Sequence, residues 1–351
     1  MSAAPVSEPI VVQDRFEVFA ADLPRLRELV AGYAEGAAAR GLTFVEEQVS
    51  PPLALADQPV TLWVRWTLPD AGGFWTARAQ SHDPAVGVFW GAVDDLVVSR
   101  SRHYLVGPDA TAPAPEDSEP YAVTPTAWRE TAQLYLPHGA GEAELGALAA
   151  VLARAVELPG IESAVLCPNF VPNDLGAGHF TWDLVYPDRS SAEVARKSEL
   201  WTDVLLPALD EHCVSRSALG LETVGAGARE PGLAGGVKRT ALFRLLRDVT
   251  PEQVEAFARD TLAMPDHIAA IRNWRLSRAI PLEWDATAGE PWTFVWEQEY
   301  ADLDGLVVDY MVHPHHWAHI DRWFDLESGA QIIDRALCHA FAGLAEAFIV
   351  R

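Results

Sequence analysis

The sequence is poor in basic residues and in cysteine. Its 351 residues include 26 lysines and arginines against 50 aspartates and glutamates, a formal net charge of −24. Because so acidic a chain repels phosphate backbones and anionic lipids, we expect neither nucleic acid nor a membrane as a partner. The three cysteines, Cys167, Cys213 and Cys338, are too few and too scattered for a disulfide framework or a metal knuckle.

Targeting signals and nucleotide-binding motifs are also lacking. The first residues, MSAAPVSEPIVV, have neither the basic start nor the apolar stretch of a signal peptide, and no apolar run approaches the roughly 20 residues of a membrane helix. We therefore expect a cytoplasmic protein. No phosphate-cradling glycine loop, G-x-S-x-G elbow or dinucleotide fingerprint appears, which disfavours NTPases, serine hydrolases and nicotinamide enzymes.

What the sequence does contain is one pattern that occurs three times. Two stretches rich in proline, glycine and alanine interrupt the apolar periodicity and are typical of linkers. The predicted divisions are a module at 8–106, a linker at 107–127, a module at 128–224, a linker at 225–236, a module at 237–341 and a tail at 342–351.

Each module is predicted to run strand, helix, strand, strand, helix, strand. The third strand ends in similar letters each time, as R-W-T-L-P-D at 65–70, W-D-L-V-Y-P-D at 182–188 and W-E-Q-E-Y-A-D at 296–302. A helix start is clearest at Thr250, where Thr-Pro-Glu-Gln can form a capping box. Three ordered matches at similar offsets indicate duplication.

The order of elements predicts an α+β fold of three tandem ferredoxin-like (split β-α-β) modules that pack as dimeric α+β barrels. Two sheets can pair within the chain, but the third needs another partner. We therefore expect a homodimer in which an isologous contact covers the remaining sheet.

The densest group of potentially chemical side chains lies in the third module. The stretch DYMVHPHHWAHID, at 309–321, holds His313, His315, His316 and His319, and Tyr310 precedes them. Pro314 suits the start of a helix, which would place His315 and His319 on one face. Such a pair can bind zinc, but no HExxH pattern or third ligand is evident, so we predict no metal.

The spacing Tyr-x-x-His-Pro-x-His, formed by Tyr310, His313, Pro314 and His316, resembles the signature of the stress-responsive dimeric α+β barrel (Dabb) family. The resemblance covers the third module well and the other two only loosely. The family's plant olivetolic acid cyclase closes a linear polyketide without a cofactor. The resemblance implies that Tyr310 and His316 form an acid–base pair here too. That enzyme also uses a histidine on the preceding strand, where this sequence has Phe294 or Val295.

The residue types support such chemistry on their own. A histidine among apolar side chains is expected to stay neutral and basic, and a tyrosine hydroxyl can stabilise a forming enolate. We predict a cofactor-independent acid–base enzyme, a cyclase, isomerase or lyase, acting on a small carbonyl, polyketide-like or aromatic compound. Tyr310, His313 and His316 are the predicted catalytic residues. The predicted substrate-binding residues are Trp292, Phe294, Trp296, Trp317 and His82.

Two other interpretations remain open. The motif histidines can serve only to stabilise a helix start, and tryptophans often belong to a core; the chain would then be a stress-response or hydrophobic ligand-binding protein without turnover. Alternatively, the barrel can belong to a cofactor-free or haem-dependent monooxygenase. The second module has no histidine in the motif position, and the first has only His82 nearby, so we expect the third module to carry the site.

Overall fold

A computed structural model describes residues 9–110 and 119–351. The chain forms two compact units that do not follow the linear order of the modules. The first unit contains residues 9–110 together with Val307–Ile333. The second unit contains residues 119–306 together with Asp334–Arg351. Each unit is considered by itself below.

The first unit contains one complete ferredoxin-like module. Its elements are β1 (Ile10–Phe19), α1 (Leu23–Ala39), β2 (Thr43–Ser50), β3 (Pro59–Leu68), α2 (Ala71–Ala79), α3 (Pro84–Asp94) and β4 (Val97–Leu105). The strands form an antiparallel sheet in the order β2-β3-β1-β4. Side chains alternate along β1, so that Val12 and Phe16 are buried while Gln13 and Arg15 are partly exposed.

The segment Val307–Ile333, which carries the histidine motif, is part of this first unit. It contains π-helical turns at Gly305–Tyr310 (whose last four residues belong to this unit) and at His315–Ile320, and short 3₁₀ turns at Asp321–Trp323 and Leu326–Ser328. Trp317 is 1% exposed and packs in the same core as Phe74. The segment thus contributes to the first module's core.

The second unit pairs two further modules. Its strands are β5 (Tyr121–Val123), β6 (Trp128–Tyr135), β7 (Ser163–Pro168), β8 (Phe180–Tyr186), β9 (Ser215–Ala228), β10 (Val237–Phe243), β11 (Asn273–Pro281), β12 (Phe294–Tyr300) and β13 (Cys338–Gly343). Its α-helices are α4 (Glu142–Leu152), α5 (Arg189–Ala195), α6 (Leu206–His212) and α7 (Pro251–His267). Further turns lie at Ala153–Glu157 and, as a π-helix, at Trp201–Leu205.

The strands of the second unit form a nearly closed barrel. The sheet order is β13-β10-β12-β11-β9-β6-β8-β7, which joins two four-stranded halves through β9 and β11. An antiparallel bridge between Asn169 and Ala342 brings the two outer edges together. Each half has its first strand between its third and fourth, as in the first unit.

The interior of the barrel is charged. Arg129 donates to Glu297 at 2.7 Å and to Asp183 at 3.0 Å, and Lys238 contacts the same two carboxylates at 2.9 and 2.7 Å. All four side chains are at least 96% buried. Each of the two carboxylates contacts both cations. The two positive and two negative charges of these side chains therefore balance where the sheets of the two modules face each other.

A shared cap supports the duplication. Asp70, Asp188 and Asp302, which end the three similar strand motifs, each accept a hydrogen bond at 2.8 Å from the backbone N–H three residues later. An aspartate in this position satisfies a donor that the first helical turn leaves unpaired. The predicted fold class, α+β with ferredoxin-like modules and a barrel, is confirmed.

The structure differs from the predicted divisions at several places. The predicted linker 225–236 begins inside β9, where a Cβ at Gly225 would lie 2.7 Å from Leu262 and one at Gly227 would lie 2.2 Å from Trp274. These glycines therefore serve close packing and not chain flexibility. Of the predicted linker 107–127, residues 111–118 lie outside the described residues, while Tyr121–Val123 pair with β9.

The predicted tail 342–351 is also ordered into the fold. Its Leu344, Ala347, Phe348 and Ile349 are at most 6% exposed and pack with Val185 in one apolar cluster. The Phe348 and Ile349 N–H groups donate to Glu299. Among the described residues, no helix combines the length and the apolar character needed to cross a membrane.

Candidate functional site

The backbone of the histidine motif is tightly wound. The His313 N–H donates to the Tyr310 carbonyl at 3.3 Å, and the His316 N–H donates to the His313 carbonyl at 2.9 Å. The π-helical turns on either side of Pro314 widen the backbone and change the direction of its side chains. π-Bulges of this kind are frequent at functional sites, and the two turns contain Tyr310 and His316, with His313 between them.

This winding brings Tyr310 and His316 face to face. Their ring centroids are 4.1 Å apart with an interplanar angle of 32°. Tyr310 is 2% exposed and His316 is 8% exposed, so the pair is nearly enclosed. The two residues that the motif predicts as an acid–base pair are therefore in contact.

Trp75, from α2, completes the enclosure. Its ring centroid lies 5.3 Å from that of His316, and its Nε1 donates to the Met311 carbonyl at 2.9 Å. The indole is thereby fixed against the motif by a hydrogen bond as well as by stacking. An apolar ring on one side and a phenol on the other give His316 a water-poor environment.

The remaining motif histidines are partly exposed. His313 accepts a hydrogen bond at its Nδ1 from the His315 N–H at 3.2 Å, so the neutral ring carries its proton on Nε2. His315 and His319 lie 4.9 Å apart between ring centroids, and His319 Nδ1 is 3.1 Å from Arg322. His313 thus has a defined tautomer in the turn between Tyr310 and His316.

A cluster of buried charges follows the motif. Arg78, from α2, donates to Asp321 and to the Phe324 carbonyl, both at 2.7 Å. Asp325 lies 3.8 Å from Arg78, and burial raises the pKa of its carboxyl to about 6. Burial likewise raises the pKa of Asp321. A cavity of about 10 Å³, enough for roughly one water, lies beside Arg78 and Asp325.

Glu327 anchors the end of the same segment. It accepts hydrogen bonds from Tyr33 at 2.7 Å, from both Nη atoms of Arg40 at 2.7 and 2.9 Å, from Arg102 at 2.7 Å and from Trp90 at 3.1 Å. Burial alone would raise the pKa of Glu327, but Arg102 and Arg40 hold it well below its usual range. The segment is therefore attached to α1, α3 and β4 through one ionised carboxylate.

The predicted substrate-binding residues occupy different environments. Trp317 packs in the core of the first unit, and its Nε1 donates to the Val312 carbonyl. His82 is exposed at the end of a short 3₁₀ turn, and its charge acts on Asp321. Neither residue is placed by these contacts against Tyr310 or His316.

The other three predicted residues belong to the second unit. Phe294 is 1% exposed and packs against Phe257 of α7, at 5.7 Å between ring centroids. Trp296 is also 1% exposed in the sheet. Trp292, by contrast, lines two cavities at one end of the barrel. Within the described ranges, no group of three or more histidine, cysteine, aspartate or glutamate side chains is arranged to hold a metal.

Sequence reasoning missed Trp75, Arg78 and the carboxylates Asp321, Asp325 and Glu327. The three acids stand just after the motif, and their position directly behind the histidines is the available signal. Trp75 and Arg78 are more than 230 residues away along the chain. Nothing in their local pattern indicates that α2 receives the histidine segment.

Comparisons with known proteins agree with the third-module resemblance. Residues 237–336 match the family model of the Stress responsive A/B Barrel Domain, Dabb. No curated protein sequence matches the chain.

The solved structures that match parts of this chain include the following three. An anthrone oxidase-like protein is 10% identical, with a TM-score of 0.46 over 64% of this chain and 94% of its own. A putative monooxygenase from Lactobacillus acidophilus is 11% identical, with a TM-score of 0.37 over 63% of this chain and 98% of its own. SnoaB, a cofactor-independent oxygenase from Streptomyces nogalater, is 20% identical, with a TM-score of 0.22 over 29% of this chain and 94% of its own.

Proposed function

Since residues 237–336 match the family model of the stress-responsive A/B barrel domain, we propose that this protein is a small-molecule enzyme that moves a proton next to a carbonyl group. The contact between Tyr310 and His316, at 4.1 Å between ring centroids, carries the proposal. In it, His316 is the general base and Tyr310 is the hydrogen-bond donor. His313 is a positioning residue that holds the turn between them.

The geometry supports a simple sequence of steps. The imidazole of His316 removes a proton from the carbon beside the carbonyl, and the electron pair moves to the carbonyl oxygen. The hydroxyl of Tyr310 donates a hydrogen bond to that oxygen as its negative charge develops. The imidazolium then returns the proton, either to carbon in an isomerisation or to the new alkoxide in an aldol closure.

The surroundings suit this role. Trp75 and Tyr310 pack against the His316 ring and leave the residue 8% exposed, so little water competes with a bound substrate for the imidazole. Aromatic walls also suit a flat substrate such as a polyketide or an aromatic ketone. None of these steps requires a cofactor. We therefore propose cyclase, isomerase or lyase chemistry on a carbonyl compound of this kind.

The first test measures proton abstraction directly, without knowledge of the natural product. Linear β-polyketone thioesters and aromatic 1,3-diketones are incubated with the protein in deuterium oxide, and exchange at the carbon between the carbonyls is followed by NMR. We expect catalysed exchange by the wild type. His316→Gln should lose about 10²–10⁴-fold, and Tyr310→Phe about 10²-fold.

The matched control is His319→Gln, a nearby histidine that is partly exposed and that contacts Arg322. Its rate should stay within about threefold of the wild type. Equal rates for His316→Gln and the wild type would overturn the proposal. Product formation that requires air would favour an oxygenase instead, and saturable binding without exchange would favour a binding protein.

A further inference from the structure

A wide groove opens at one end of the barrel in the second unit. Its volume is about 950 Å³, and it lies where β10 and β11 end and β12 begins. The lining comes from Arg244–Arg247, Arg278–Pro281 and Glu290–Thr293. A smaller cavity of about 250 Å³ shares Arg244 and Trp292 with the groove. Pockets of this combined size accommodate small organic ligands.

Two arginines in this groove lack an acidic partner. Among the described residues, neither Arg244 nor Arg278 has a carboxylate oxygen within 4 Å, whereas the neighbouring Arg247 pairs with Glu290 at 3.3 Å. The chain has 50 acidic residues against 26 basic ones, so acidic partners are plentiful. Two unpaired guanidinium groups on one concave surface therefore indicate a place for an external anion.

Arg244 is held in a fixed position. Its Cζ lies 3.5 Å from the centroid of the Trp292 ring, and its Nε donates to the Glu290 carbonyl at 2.6 Å. The Trp292 Nε1 in turn donates to the Ser217 hydroxyl at 2.9 Å. The two Nη atoms of Arg244 donate to none of the described residues. A guanidinium so fixed, with two free donors, loses little conformational entropy when it binds an anion.

The other walls of the groove are largely apolar. They include Leu245, Leu246, Ile280, Pro281 and Pro291 beside the Trp292 ring. Burial lowers the pKa of Arg244, while Asp334, which also lines the groove, and Glu290 act in the opposite direction, and the guanidinium stays charged at neutral pH. A ligand that is complementary to this groove therefore has one negatively charged end and an apolar body.

We propose that this groove, which we call the Arg244 groove, binds a small carboxylic acid with an apolar ring or chain. The carboxylate receives hydrogen bonds from Arg244 and charge stabilisation from Arg278, and the apolar part lies along Leu246, Ile280 and Pro291. Glu222 lines the rim directly across the strand pair from Arg278 and opposes the anion. All of its residues belong to the second unit, whereas Tyr310 and His316 belong to the first.

The test uses 2-naphthoate and its uncharged analogue 2-naphthamide as probes, with binding to the full chain measured by isothermal titration calorimetry. We expect naphthoate to bind saturably and at least tenfold more tightly than naphthamide. Arg244→Gln and Arg278→Gln should each weaken naphthoate binding about tenfold and leave naphthamide unchanged. Glu222→Gln should strengthen naphthoate binding about twofold.

Arg247→Gln is the matched control, because Arg247 stands on the same rim but is exposed and paired with Glu290. It should change naphthoate affinity less than threefold, and His316→Gln should not change it. Circular dichroism verifies that each variant is folded. Equal affinity for the two probes, equal loss in Arg247→Gln, or no saturable binding of naphthoate would each overturn the proposal.

Discussion

At the scale of single residues, the histidine segment is held by carboxylates whose ionisation is pushed in opposite directions. Glu327 is surrounded by Arg40 and Arg102 and stays ionised, with its pKa well below the usual range. Asp325, two residues earlier, lies farther from a cation, and burial raises its pKa to about 6. The segment is thus tied to the first unit by one acid that is always charged and another that titrates near neutrality.

This difference in pKa predicts that the stability of the first unit depends on pH, and that Asp325→Asn removes this dependence. The folded pKa of Asp325, about 6, exceeds the value of about 3.9 expected in the unfolded chain. The stability that its protonated form contributes is therefore complete below about pH 4 and is lost as the pH rises through about 6. Asparagine mimics the protonated carboxyl. We expect the variant to match the wild type at pH 4 and to exceed it at pH 7 by on the order of 1–2 kcal/mol.

Amide hydrogen exchange in peptides from the strands β1 to β4 measures this stability difference locally. The wild type and Asp325→Asn are compared at each pH. Asp57→Asn, at an exposed aspartate of the same unit, is the control and should show no pH-dependent gap. A constant difference between Asp325→Asn and the wild type across pH 4–7 would contradict the expectation.

At the scale of elements, local chemistry predicts strands and helix starts well. The strands β3, β8 and β12 end at the predicted letters, two residues before Asp70, Asp188 and Asp302. The helix start at Thr250 is confirmed, since Thr250 Oγ1 accepts from the Gln253 N–H and Gln253 Oε1 accepts from the Thr250 N–H. These features depend on alternation and on capping groups within a few residues. Both are visible in a single sequence.

The cap at Thr250 has a measurable consequence. Thr250→Ala removes the acceptor for the Gln253 N–H at the start of α7 and should destabilise the second unit by about 1 kcal/mol. Thr250→Ser retains the acceptor and should restore most of that loss. Urea unfolding followed by far-ultraviolet circular dichroism compares the three proteins. Equal midpoints for alanine and serine would show that the hydroxyl contributes nothing.

What the sequence could not reveal is which sheet each segment covers. An apolar stripe on a helix specifies that it packs, but not against which partner. Tyr310 and His316 could be paired from their spacing, whereas the contact with Trp75 depends on the placement of 307–333 on the first unit. The same reason explains why the predicted tail belongs to the fold. Phe348 is apolar in the sequence, but its burial depends on packing with Val185 and Leu233, which are distant along the chain.

At the scale of the whole molecule, charge pairing is the way in which the modules cover their sheets. In the barrel, Arg129 and Asp183 of one module pair with Glu297 and Lys238 of the other. The sheet β2-β3-β1-β4 carries a comparable set on the face away from its helices, where Arg15 contacts Glu17 and Arg65 contacts Glu46. These side chains are partly exposed, unlike the fully buried set in the barrel.

We therefore retain the homodimer as a proposal and assign it to this face. A second copy brings an identical set of arginines and glutamates, and a two-fold axis lets Arg15 and Arg65 of one protomer meet the glutamates of its partner. Trp63 lies on the same face, with the Arg15 guanidinium of its own chain 5.9 Å from its ring, and would add an aromatic contact at the axis. The arrangement would repeat between two chains what the barrel achieves within one.

Native mass spectrometry and light scattering at micromolar concentration test this assignment. We expect a mass of twice the chain in the wild type, and a single-chain mass for Trp63→Glu, which adds a like charge and removes the aromatic contact from both sides of the axis. Val88→Glu, at an exposed position on α3, controls for the added charge and should stay dimeric. A single-chain mass for the wild type would contradict the dimer itself. If Trp63→Glu keeps the doubled mass, the dimer contact lies on another face of the chain. Two buried, unpaired carboxylates on the axis would cost more free energy than a standard interface gains.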